Sequence, residues 1–185
     1  MDNWGQLKIE ILRTPLTYVY LANVARESLK QNTAAGAMAA SVFAAFAAEA
    51  YFNHVGQERI EYWEKASLES LRPQAKAVLL NNLLLGVSVD WSTPPYQTLA
   101  EAISYRNALA HGKTETTKAL TTLAGASDDL WSSGRLVKWE RCQDLAVAKR
   151  LVEDVEQLIE RMQSALGNSG SPFDALRLGE PRAKP

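Results

Sequence analysis

A chain of 185 residues with 46% hydrophobic and 22% charged side chains can build one packed domain, which excludes wholesale disorder. Its 20 Lys and Arg against 21 Asp and Glu leave a net charge of -1, so it does not hold nucleic acid through net charge alone. The single Cys142 excludes a disulfide framework and a multi-Cys zinc site, and two histidines, His54 and His111, leave little room for a His-rich metal site. Neither a metal nor a cofactor is expected.

Residues 1–13 read as an N-terminal extension with no basic stretch running into an apolar one, so no signal peptide is expected and the cytoplasm is the expected compartment. Thr14-Pro15 has the pattern of an N-cap followed by Pro at the first helical position. The helix it predicts carries Leu16, Val19, Tyr20, Val24 and Leu29 on one side. Asn32-Thr33 introduces a second helix from Ala34 to about Gln57, so rich in alanine that a neighbouring helix could approach it closely. Its most apolar part, Ala34 to Ala48, is too short to span a bilayer and ends at Glu49, so a buried soluble helix is expected and no membrane contact.

Pro73 opens a third helix that stops at Gly86, and the segment 87–95 has two prolines and no helical period. Thr98 and Glu101 have capping-box spacing and predict a fourth helix ending near Gly112. Residues 113–139 read as a loop holding one helical turn or a short hairpin. From Glu140 to Gly167 the apolar residues Leu145, Ala148, Val152, Val155, Ile159, Met162 and Leu166 step by three and four, which predicts a helix buried along one stripe. The tail 168–185 is rich in Gly and Pro and reads as flexible. An all-α bundle of about five helices over 14–167 is the expected architecture.

The segment Tyr105-Arg106-Asn107-Ala108-Leu109-Ala110-His111-Gly112 carries the most chemistry. Asn107 and His111 are four apart and share a helix face, whereas Arg106 and His111 are about 140° apart around the axis. One helix therefore does not aim both groups at one small target. Arg106 has no acidic partner within reach on its own helix, since Ala102, Ile103, Leu109 and Ala110 occupy the neighbouring positions. The plainer alternatives are an exposed helix cation at Arg106 and, at His111, a side chain interacting with the helix dipole.

RNALAHG at 106–112 resembles the Rx4-6H motif of the HEPN superfamily, small all-α domains that include metal-independent ribonucleases. The segment FAAFAAEAYFNHVG resembles the same family's inner helix, where an acidic residue and an Asn follow an apolar run. The resemblance implies a two-fold homodimer with a composite site, in which each His111 meets the partner's Arg106 and Asn107. It implies attack of a ribose 2′-OH on the adjacent phosphate, leaving a 2′,3′-cyclic phosphate. In that chemistry His111 is general base or acid, Arg106 binds the phosphate and Asn107 orients one of them. Glu49, Asn53, His54 and Lys113 are the expected supporting or substrate-binding residues, each of which could equally be an ordinary polar residue.

The implied role is a toxin–antitoxin or antiphage endoribonuclease acting on RNA, with an antitoxin or defence protein as partner. The alternative is a catalytically silent module that dimerises or binds a nucleotide or partner. HEPN toxins silenced by a nucleotidyltransferase often carry a Tyr two residues after the motif His. Here that position is Lys113, which leaves only the nearby Tyr105 for such a modification. Tyr18, Tyr20, Trp63 and Trp91 are expected in the core or at an interface rather than under stacked bases, and Cys142 has no nucleophile's surroundings in sequence.

Overall fold

The computed structural model describes residues 9–10, 15–112, 114, 116, 137–168, 170–173 and 182–183. Among them five α-helices form the body: α1 Thr17–Lys30, α2 Ala34–Arg59, α3 Pro73–Leu84, α4 Tyr96–His111 and α5 Leu145–Ala165. The fold is an all-α bundle, as the periodicities predict. A two-residue antiparallel pairing joins Ile9–Glu10 to Arg182–Ala183. Most of 113–139, including Lys113, lies outside the described residues, as do most of the extension and the tail.

The bundle is arranged around α2, which packs against each of the other four helices. Ala37, Ala40, Ala44, Ala45, Ala47 and Ala48 are all buried, so along this part of α2 the neighbours lie against methyl groups, whereas Tyr51, Phe52 and Val55 fill the core further on. Thr33 caps this helix by accepting from the Gly36 amide at 3.0 Å. Its length corrects the membrane argument made from 34–48. The helix has 26 residues and a window of mean hydropathy 1.4, long and apolar enough to cross a bilayer, but 56% of that window is buried inside the bundle. In this fold α2 is the core helix.

The buried face of α1 is Tyr18, Val19, Ala22 and Ala25, whereas Tyr20 and Val24 are exposed. The apolar stripe expected from the larger residues is thus rotated toward the alanines, because the close approach to α2 favours small side chains. The Thr14-Pro15 start is also displaced. Leu16 is extended, with φ -90° and ψ 97°, and the helix begins at Thr17 without a side-chain cap.

The capping box expected at Thr98 and Glu101 is not formed. Helix α4 starts earlier, at Tyr96, and the buried Thr98 hydroxyl donates to Asp154 Oδ2 of α5 at 2.6 Å. Glu101 instead accepts from Tyr105 Oη at 2.6 Å and pairs with Arg150 at 2.5 Å. The fifth helix likewise starts later than the Glu140 expected from sequence. Lys138–Gln143 form 3-10 turns, and Asp144 then caps α5 by accepting from Ala146 and Val147. Beyond Gly167 the core continues to Phe173, which is buried against Tyr18 and under the Arg26 guanidinium, so the tail expected from 168 does not begin outside the packed body.

Trp63 lies flat against the helix backbone at Gly56, where an added Cβ would stand 2.5 Å from the indole ring. Gly56→Ala is expected to cost about 1–3 kcal/mol through overpacking. Thermal unfolding checks this, with a fall in midpoint of roughly 2–4 °C per kcal/mol for a chain of this size.

Candidate functional site

Where α4 crosses α2, Ala102 and Tyr105 pack on Ala45, which brings the next residue, Arg106, to the edge of the contact. Its guanidinium Nη2 donates to Glu49 Oε2 of α2, and Nη1 donates to Asn107 Oδ1 at 3.0 Å. The guanidinium carbon lies 5.2 Å from the centre of the Phe46 ring, within the range of a cation–π contact. From the other side Lys76 of α3 places Nζ 3.5 Å from Glu49 Oε1.

Two cations thus share one carboxylate. The Lys76 side chain is 1% exposed, and those of Glu49 and Arg106 are 25% and 21% exposed. Arg106 Nε is enclosed with no hydrogen-bond acceptor. The cluster holds one uncompensated positive charge and one unused donor in a partly dry setting. Such an arrangement is costly unless an anion completes it.

Of the residues singled out from sequence, the fold brings together Arg106, Asn107 and Glu49. His111 sits in the last turn of α4, exposed, and makes no hydrogen bond or ion pair among the described residues. Gly112 follows in the left-handed conformation, φ 52° and ψ 34°, and ends the helix. Arg106 turns inward to α2 while His111 faces outward, as their roughly 140° separation requires. Asn53, one turn after Glu49 on α2, and His54 line a cavity beside the start of α1. There the His54 ring lies 5.4 Å from that of Tyr18, tilted by 32°, and approaches Glu58 at 3.4 Å.

Sequence reasoning missed Lys76 and Phe46. A signal for Lys76 did exist: it is a charged residue four before Leu80, on the inner face that Ala77 and Leu80 build. Its ion pair could not be read, because Glu49 stands on another helix. Among the described residues no three His, Cys, Asp or Glu side chains gather as a metal site would need.

Tyr105 is buried, and its burial together with the Glu101 carboxylate that accepts its proton pushes the phenol well above its ordinary range. A buried, engaged hydroxyl does not suit the modification considered for Tyr105. Burial raises the Cys142 thiol as well, which keeps it a packed core residue rather than a nucleophile. No protein-family model matches the chain, and neither a curated protein nor a solved structure matches it.

Two predictions follow from these environments. Glu49→Ala leaves Lys76 and Arg106 without their shared carboxylate and is expected to cost about 2 kcal/mol or more, whereas Lys76→Met removes the surplus charge and stays within about 1 kcal/mol of wild type. Denaturant titration of the two variants distinguishes the outcomes. The phenols of Tyr51 and Tyr105 are both raised by burial, so the folded state holds their protons more tightly than the unfolded chain does. Their contribution is complete below about pH 10 and falls as pH rises further. Stability measured from pH 9 upward should decline less steeply in Tyr105→Phe.

Proposed function

We propose that the chain is a HEPN-type, metal-independent endoribonuclease that works as a homodimer on RNA in the cytoplasm. The observation that carries this reading is the Arg106 cluster. A guanidinium is held in place by Glu49, beside a buried second cation, with surplus positive charge and an unused Nε donor. These are the properties required of a group that receives a phosphate. The RNALAHG motif and the all-α bundle support the family side of the proposal.

In the proposed reaction the ribose 2′-oxygen attacks the adjacent phosphorus, and the bond to the departing 5′-oxygen breaks. A 2′,3′-cyclic phosphate and a 5′-hydroxyl result. His111 takes the 2′-OH proton or supplies one to the leaving oxygen, a role open to an exposed imidazole that can donate or accept a proton. Arg106 neutralises the phosphate and the charge added in the transition state. Because Arg106 and His111 diverge on one helix, the reaction uses His111 of one copy with Arg106 and Asn107 of the other. Lys113 is proposed as a further phosphate contact. A toxin or antiphage role, with an antitoxin or defence partner, follows from the resemblance and from nothing in the geometry.

One observation favours a second reading. Glu49 already occupies part of the Arg106 guanidinium, as it would in a silent module that dimerises or binds a nucleotide or partner. Incubation of the purified chain with single-stranded RNA in EDTA separates the two. Cleavage to cyclic-phosphate ends that falls by about 100-fold or more in both Arg106→Ala and His111→Ala supports the nuclease. Cleavage that is unchanged by His111→Ala sinks the proposed site.

A further inference from the structure

On the far side of Asn53 from the Arg106 cluster, a cavity of about 350 Å³ opens between the start of α1 and one face of α2. Its volume lies at the lower end of the roughly 300–1,000 Å³ typical of small-molecule sites. Leu16, Tyr18 and Ala50 give it apolar walls, and Asn53, His54 and Gln57 give it polar groups. Among the described residues no Lys, Arg, Asp or Glu lines it. An ammonium group would find no carboxylate there, and an anion no Lys or Arg and only His54, so the lining favours an uncharged ligand.

The polar groups narrow the choice. Asn53 and Gln57 are four apart, so both carboxamides project from one side of α2, about 5–6 Å from each other at their base. Asn53 lines the cavity, and its Oδ1 is enclosed and receives no hydrogen bond among the described residues, so it stays unsatisfied until a donor reaches it. Gln57 commits its amide nitrogen to Glu64 Oε1 at 2.9 Å, which leaves its carbonyl oxygen to accept. The Tyr18 and His54 rings, 5.4 Å apart and tilted by 32°, supply aromatic surface to the wall.

We propose that this cavity binds an uncharged nucleoside through its base. A base combines flat apolar faces with an edge of alternating donors and acceptors, which polar groups from both Asn53 and Gln57 can meet. The proposal is independent of cleavage at Arg106, because it concerns binding at a cavity that the cluster does not line.

The test is titration of the full-length chain with adenosine, guanosine, cytidine and uridine, followed by calorimetry or by amide NMR shifts. At least one nucleoside is expected to saturate the protein. Asn53→Leu and the exposed, fold-neutral Gln57→Ala should each weaken it by about tenfold, the equivalent of one lost hydrogen bond to the base. Arg106→Ala should retain wild-type affinity, and inorganic phosphate should not compete. Circular dichroism establishes that each variant is folded. Failure of all four nucleosides to bind overturns the proposal. So does affinity that survives both cavity substitutions, or affinity that is lost in Arg106→Ala, since either result moves the ligand elsewhere.

Discussion

The close approach of four helices to one alanine-rich helix is the constraint from which the other features of this bundle follow. Methyl groups at Ala37, Ala40, Ala44, Ala45, Ala47 and Ala48 keep α2 thin up to Ala48, so neighbours pack near its backbone there, while Tyr51, Phe52 and Val55 fill the core beyond. The same close approach explains why Gly36 and Gly56 tolerate no Cβ. At Gly36 an added Cβ would stand 2.5 Å from the Ser28 carbonyl oxygen, and at Gly56 the same distance from Trp63. It also explains why α1 turns Ala22 and Ala25 inward and leaves Tyr20 and Val24 at the surface.

Against that apolar background, Glu49 is the polar interruption, and its position determines where charge can collect. A carboxylate on the central helix of a bundle lies within reach of several neighbours at once. Here it draws Lys76 from α3 and Arg106 from α4 to a single point. The surplus charge and the idle Arg106 Nε are consequences of two cations sharing one anion. The proposed chemistry depends on the same imbalance, because a phosphate would complete what Glu49 begins.

Much of the architecture was legible because it rests on local physics. The Thr33 cap, the Pro73 start and the stops at Gly86, Gly112 and Gly167 each depend on a few adjacent residues. The stripe on α5 repeats through several turns, and its buried residues match it closely. Local signals failed where a distant partner outbid them. Thr98 gives its hydroxyl to Asp154 and Glu101 pairs with Arg150, so the capping-box spacing has no capping box behind it. The helix expected from Glu140 starts only at Leu145, because the Asp144 carboxylate accepts from the Ala146 and Val147 amides as its N-cap. At the candidate site Arg106, Asn107 and Glu49 were legible, whereas the pairing of Lys76 was not, because Glu49 stands on another helix.

The amino-acid sequence by itself determined five helical segments, an all-α class and an Arg and a His set too far around one helix to share a target. These follow from periodicity, caps and the 3.6-residue turn, which act within a few residues. The tertiary structure alone decided that Arg106 faces inward to Glu49 and Lys76, that Tyr105 is sealed against Glu101, and that Asn53 and His54 belong to a separate cavity. Ion pairs and cavities depend on which helices become neighbours, and residues as far apart as Glu49, Lys76 and Arg106 carry no local trace of that choice.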